Sequence, residues 1–299
     1  MATTQDGPFI VTGASGQLGR QGVDLLLKAG CSPIVAITRD PSKLTDLAAR
    51  GVDVRCGDFN VPDTLGPAFA GGKRLLVIST DDLEPGKRLA AHSNAIAAAR
   101  VAGVEHIVYT SLVNPVPESP ITFSADHQDT EKLIEATDAD YTILRNNLYT
   151  DLLLMSGAQA IGLGQLSTAA ADGKAGYVTR ADCARAAAAA LMNEAGRKVL
   201  NITGPAAVGQ DEVATILSQV SGKTIPYVPL QAEELVHAMI DKGLPEFMAR
   251  VFVSFDQAVA EGYIDVTTGD LEALTGLPAQ SARDFLLAHR EALLATPQY

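Results

Sequence analysis

Near its start the chain runs Phe9-Ile10-Val11-Thr12 and turns at once into Gly13-Ala14-Ser15-Gly16-Gln17-Leu18-Gly19. An apolar strand that meets glycine and passes straight into a helical pattern opens a βαβ unit, because parallel strands need a crossover helix between them. Over 17–29 the residues Leu18, Val23, Leu26 and Leu27 form one apolar stripe, and Gly30 follows as C-cap. The alternation then repeats. Strands are expected at 9–12, 33–38, 53–56, 74–79, 106–111 and 141–144, and helices at 17–29, 41–50, 62–69, 83–102 and 123–137. This order predicts the α/β class, with a Rossmann-type doubly wound parallel sheet.

In that setting the glycines carry chemistry. Gly13 permits the tight turn, Gly16 lets a pyrophosphate approach the backbone, and Gly19 allows close packing of helix on strand. The amides around Ser15, Gln17 and Leu18 then face negative charge, which the helix dipole favours. Gly13, Ser15, Gly16, Gln17, Leu18 and Gly19 are thus the expected phosphate-binding residues of a dinucleotide. The same glycines would serve an ordinary strand-to-helix turn; the strand before them and the pattern after them favour the dinucleotide. About 20 residues further on, where an acidic residue would hold the ribose of NAD, the chain has Thr38-Arg39. A guanidinium suits a 2′-phosphate, so the expected cofactor is NADP, used as NADPH, although Asp40 beside it opposes that preference. Asp58 either accepts from the adenine amino group or caps the next turn. Ser79, Thr80, Thr110 and Ser111 end the fourth and fifth strands, where hydroxyls line the nicotinamide.

Beyond Asp151 the clean alternation fails, and 157–176, rich in Gly, Ala and small polar residues, reads as a loop near a ligand. An Ala-rich helix is expected at 180–192, a strand at 199–202 and a helix at 211–220. The rest, to Leu294, is mostly helical between Pro226, Pro229, Pro245 and Pro278. The expected division is a cofactor-binding domain over 1–150, completed by about 178–204, with 151–177 and 205–299 forming a smaller, mainly carboxy-terminal substrate domain.

Composition excludes several partners. With 23 Lys and Arg against 35 Asp and Glu, a net charge of −12 repels a phosphate backbone, so no nucleic-acid partner is expected. No run approaches the roughly 20 apolar residues of a membrane span, and MATTQDGPFI has no leader pattern, so cytoplasm is the expectation. Cys31, Cys56 and Cys183 form no C-x-x-C pair, and His92, His106, His127, His237 and His289 have no metal-ligand spacing, so no metal is expected.

These features, with Val101-Ala102-Gly103-Val104, Tyr109-Thr110-Ser111-Leu112 and the run from Tyr141 to Tyr149, resemble the NmrA-like atypical short-chain dehydrogenase/reductases. The likeness extends to His127-Gln128-Asp129-Thr130-Glu131, Thr179-Arg180-Ala181-Asp182 and Leu274-Thr275-Gly276, and is greatest to the bacterial members that reduce quinones and triphenylmethane dyes. It implies a cleft between a Rossmann domain and a small substrate domain. Ordinary short-chain enzymes place Tyr and Lys four residues apart, the Tyr as proton donor. Here that register holds Gln128 and Lys132. Lys132 is expected to bind the nicotinamide ribose, or else is one more charge on an amphipathic helix.

The missing phenol favours undemanding acceptors. A quinone delocalises the incoming charge, and a carbocationic dye is neutralised by hydride and needs no proton, so positioning supplies most of the catalysis. The expected partner is a small aromatic or quinone-like molecule. Tyr149, just past the sixth strand, either stacks on the acceptor or is a core aromatic with its hydroxyl at the surface. Tyr149, Lys132 and Asn147 are the catalytic candidates, and His127, Asn146 and Tyr149 the substrate-binding ones. His127 is alternatively a partner for the neighbouring helix, and Tyr109 is expected to pack. The leading function is an NADPH-dependent reductase. The alternative is an NADP-sensing regulator without turnover; an epimerase or dehydratase is disfavoured by the missing Tyr. Monomer and homodimer are both left open.

Overall fold

The computed structural model describes residues 8–84 and 86–295. Its strands are β1 (Phe9–Val11), β2 (Ile34–Thr38), β3 (Asp53–Cys56), β4 (Arg74–Val77), β5 (His106–Leu112), β6 (Asp140–Asn146), β7 (Leu166–Thr168), β8 (Lys174–Ala175), β9 (Arg197–Ile202), β10 (Val208–Gly209) and β11 (Tyr227–Pro229). Between the early strands lie α1 (Gln17–Lys28), α2 (Thr45–Ala49), α3 (Leu65–Phe69), α4 (Lys87–Val101) and α5 (Ser124–Glu135). The later helices are α6 (Leu152–Leu163), α7 (Arg180–Asn193), α8 (Gln210–Ser221), α9 (Ala232–Asp241), α10 (Glu246–Ala260), α11 (Asp270–Thr275), α12 (Ala282–Ala288) and α13 (Arg290–Leu294).

A seven-stranded sheet runs in the order β3-β2-β1-β4-β5-β6-β9, with every neighbouring pair parallel. It is the Rossmann-type sheet expected, extended by β9. Helices cover both faces, which is why β1, β2 and β5 are buried along their whole length while β3 at the edge is not. On one face Leu18, Val23 and Leu26 of α1 meet the alanines of α7, whose small side chains let the two helices close over the sheet. On the other, Phe69, Ala91, Ala95 and Ile134 pack around Tyr109. Chain order reverses between β1 and β4, and the helices that follow these strands go to opposite faces. That opens a crevice at the strands' carboxyl ends.

A second core lies off the sheet, where Leu153 of α6, Ile216 and Leu217 of α8, Val259 of α10 and Phe285 and Leu286 of α12 meet. Here the expected loop over 157–176 is corrected. The helix α6 runs on to Leu163, and Leu166–Thr168 pairs in parallel with β11. The small residues serve close packing. A Cβ on Gly157 would stand 2.9 Å from side-chain carbons of Leu217 and Leu293, and one on Gly173 would stand 2.1 Å from the Val259 carbonyl oxygen.

Candidate active site

A cleft of about 450 Å³ lies over the carboxyl ends of β1, β4, β5 and β6. One end is the glycine turn. Gly13 has φ +60°, and the Gly16 N–H donates to the Gly13 carbonyl at 2.9 Å. A Cβ on Gly19 would sit 2.3 Å from that oxygen, so the third glycine serves the close approach of helix and turn, rather than of helix and strand as expected. No side chain caps α1, and its first turn holds no acidic residue. Gln17, Leu18 and Gly19 therefore offer the cleft unsatisfied amides and the positive end of a helix dipole. Arg180 adds a charge there, donating to Gln17 Oε1 at 3.0 Å and lying 3.5 Å from the Asp151 carboxylate.

The second strand ends beside this turn. Thr38 Oγ1 donates to Ser15 Oγ at 3.0 Å, and Arg39 stands next to it, exposed and without a side-chain partner among the described residues. Asp40, the residue that weighed against NADPH, is turned elsewhere. Its Oδ1 accepts from the Ser42 N–H at 3.1 Å and from Ser42 Oγ at 2.6 Å, bonds that hold its carboxyl below the usual range. Asp58 accepts from the Asn60 N–H at 2.9 Å and so caps its own turn.

At the middle of the cleft Ser79, Thr80 and Ser111 line the wall. Thr110 does not; its hydroxyl accepts from the Ser79 N–H at 2.9 Å and pins β4 to β5. Ser111 Oγ donates to Glu131 at 2.6 Å, and the buried Glu131 carboxylate takes both Nε and Nη2 of Arg145 at 3.0 and 2.6 Å. Lys132 is not brought to the cleft. It is exposed, and its ammonium donates to Gln128 Oε1 at 3.1 Å and to Asp129 at 2.9 Å. The inward face of α5 carries His127, Thr130, Glu131 and Ile134, and the neighbouring position on a helix points away from that stripe.

At the far end stand Tyr149, Asn146, His127 and side chains that sequence reasoning missed. Tyr149 accepts from Asn146 Nδ2 at 3.3 Å, and the Arg180 guanidinium lies 5.0 Å from its ring centre. Burial raises its pKa, so the phenol keeps its proton. Asn146 Oδ1 is buried without a partner among the described residues. Asn147 lines the cleft but is spent on structure: Nδ2 donates to the carbonyls of Ile264 and Val266, both at 3.1 Å, and Oδ1 accepts from the Leu148 N–H at 2.8 Å. Its proposed catalytic role has no free atom of the amide to act through.

His127 is buried at 4% exposure and held by Tyr109, which does more than pack. The Thr80 N–H donates to His92 Nε2 at 3.0 Å, so the proton of neutral His92 sits on Nδ1, 2.9 Å from Thr130 Oγ1. Tyr109 Oη keeps its proton and lies 2.8 Å from His127 Nδ1, hydrogen-bonded to it. Burial, then the charge of Arg88, push His127 well below its usual pKa, and His92 by the same causes to about 3. His127 is thus neutral. Phe123, Phe255, Leu112, Leu148 and Leu152 complete the apolar wall. Only the spacing of Arg88 and His92, four residues apart on α4, hinted in the sequence that this helix faces the site.

Residues 13–194 match the family model described as NAD(P)H-binding. Quinone oxidoreductase 2 of Escherichia coli (strain K12) is 37% identical over 90% of this chain and 93% of that protein. The NAD(P)H azoreductase of Xenophilus azovorans is 28% identical over 95% of this chain and 98% of its own. The crystal structure of Citrobacter sp. triphenylmethane reductase complexed with NADP(H) superposes with a TM-score of 0.87 at 36% identity, covering 95% of this chain and 100% of that one. The glycine turn, the sheet that carries it and these likenesses agree: this chain belongs to the NAD(P)H-binding family.

Proposed function

We propose that this protein is an NADPH-dependent reductase that passes hydride to a quinone or another conjugated, electron-deficient small molecule. The observation that carries the reading is one continuous cleft with unsatisfied helix amides at one end and Tyr149, Phe123 and Phe255 at the other. The residues fit a nicotinamide dinucleotide. The glycine turn has no room for a side chain at Gly19, and the buried Asn146 Oδ1 and Thr80 Oγ1 lack partners among the described residues. In this reading the α1 amides hold the pyrophosphate, Arg39 the 2′-phosphate, and Thr80, Ser111 and Asn146 the carboxamide end. When bound, the cofactor supplies a hydride.

The chain's own groups then position the acceptor. Tyr149 stacks on it, the apolar wall excludes water, and neutral His127 lines the same end of the cleft. Gln128 and Lys132 leave the site without the Tyr-Lys acid of ordinary short-chain enzymes, which suits acceptors that delocalise charge. The named relatives, a quinone oxidoreductase, an azoreductase and a triphenylmethane reductase, share conjugated acceptors and support the same class. No observation favours the sensor. Residues 1–150 and 178–204 would form the cofactor domain, and 151–177 with 205–299 would close the acceptor end. The free Cys31, Cys56 and Cys183 suit a reducing cytoplasm, and no helix among the described residues is long and apolar enough to cross a membrane. Following NADPH absorbance against quinones, azo compounds, triphenylmethane dyes and simple ketones tests the reading. Oxidation is expected with conjugated acceptors and not with simple ketones; tight NADPH binding with no turnover on any acceptor would support the sensor.

A further inference from the structure

Arg88 of α4 is 4% exposed and lines the acceptor end of the cleft. Its Nη1 donates to the Thr80 carbonyl, its guanidinium lies 4.3 Å from the centre of the Phe123 ring, and its buried Nε has no partner among the described residues. No carboxylate among the described residues pairs with it; Asp126, Asp81 and Asp82 act on it only through space. A desolvated guanidinium keeps its proton, so its charge must be met by something. The neighbouring rings do not meet it, because His92 and His127 are neutral and Tyr109 keeps its proton. In a chain of net charge −12, the acceptor end of the cleft thus holds a buried guanidinium with no ion-pair partner among the described residues; Asp81 on the same lining, with Asp82 and Asp126, tempers its field only through space.

We propose that Arg88 selects the acceptor by charge, favouring quinones and other molecules that become anions on taking hydride over carbocationic dyes of the triphenylmethane type. The inference rests on the reductase reading above. A quinone takes two electrons and one hydrogen from NADPH as hydride and becomes a hydroquinone anion beside NADP⁺; one proton from water completes the hydroquinone. Arg88 stabilises that anion as it forms and lies close enough to Phe123 to act on a ring stacked there. A dye that is already a cation meets repulsion on entry, and hydride removes the charge that was repelled.

The test compares the unmodified protein with Arg88→Met and Arg88→Lys. Two quantities are measured: kcat/KM for a neutral para-quinone and for a cationic triphenylmethane dye, and binding of a hydroxynaphthoquinone anion to protein saturated with NADP⁺. Circular dichroism and NADPH titration establish that each variant is folded and loaded. Arg88→Met is expected to lower kcat/KM for the quinone about 100-fold, by loss of one preorganised charge. It should raise that for the dye about tenfold, by relief of repulsion. Arg88→Lys is expected to retain the preference. Unchanged quinone-to-dye ratios in a folded, NADPH-binding Met variant would overturn the assignment. If that variant does not fold, the unmodified protein decides: the NADP⁺ complex must bind the hydroxynaphthoquinone anion more tightly than uncharged naphthoquinone, and equal affinities would overturn it. A protein that prefers the anion but oxidises NADPH with no acceptor would sink the reductase reading and leave the charge assignment standing.

Discussion

In the proposed reading, Arg39 and Tyr149 are the single side chains that bear most on cofactor choice and on the acceptor. With Asp40 committed to Ser42, the Arg39 guanidinium is free to pair with a 2′-phosphate, a charge-assisted contact that NADH cannot make. Arg39→Ala is therefore expected to narrow the preference for NADPH over NADH by about ten- to a hundredfold. Titration of both cofactors checks it, and equal affinities in the unmodified protein would remove Arg39 from the site. Tyr149 keeps its proton and receives a bond from Asn146, which leaves its ring as the larger contribution to an acceptor. Tyr149→Phe should lose severalfold in kcat/KM and Tyr149→Ala much more. A Phe variant slowed about a thousandfold with NADPH affinity intact would instead make Tyr149 the proton donor.

Elements explain what a residue-by-residue reading could not. Lys132 sits in the right register of the sequence and on the wrong side of the helix, because the inward stripe of α5 is already taken by His127, Thr130, Glu131 and Ile134. The small residues of α6 look like a loop until Leu217 and Leu293 are seen packed against Gly157. In α1 the glycines separate. A Cβ on Gly16 would be 3.3 Å from the Gly13 oxygen, so Gly16→Val should leave a folded protein that no longer binds NADPH, whereas Gly19→Ala meets backbone at 2.3 Å. The Ala variant should lose about 1–3 kcal/mol in denaturant unfolding; a fully stable one would show that the turn can open.

The α10 helix carries a pH effect. Burial, partly offset by the Ala169 N–H at 2.8 Å, pushes Asp256 up to about 6, so the folded chain holds this proton more tightly than the unfolded chain does. For a raised carboxyl the favourable contribution is present below the unfolded pKa near 4 and is lost as pH rises through about 6. Asp256→Asn, which can still accept from Ala169, should gain on the unmodified protein by about 3 kcal/mol across that window and stay ahead above it. Thermal unfolding from pH 4 to pH 8 measures this difference; a constant difference would mean that Asp256 titrates normally.

At the scale of the whole molecule, the glycine turn and the sheet beneath it were legible because their signals are local, whereas Lys132 and Thr110 do not reach the cleft. Apolar runs buried on both faces and glycines between strand and helix each announce themselves within a few residues. At the other end His127, Asn146 and Tyr149 could be named from the sequence, but Arg88, Tyr109 and Phe255 could not: they come from α4, β5 and α10, and only tertiary packing makes them neighbours. The same distance in sequence hid the hydrogen bonds that join Thr80 to His92 and Tyr109 to His127. The claim that joins the two halves is direct hydride transfer from NADPH to an acceptor bound beside it. Single-turnover oxidation of NADPH by a para-quinone, with deuterium placed at one or the other face of the reactive nicotinamide carbon, tests it most directly. Rapid oxidation, slowed by deuterium on one face only, is expected. Equal rates with either label, or no oxidation of bound NADPH, would contradict it.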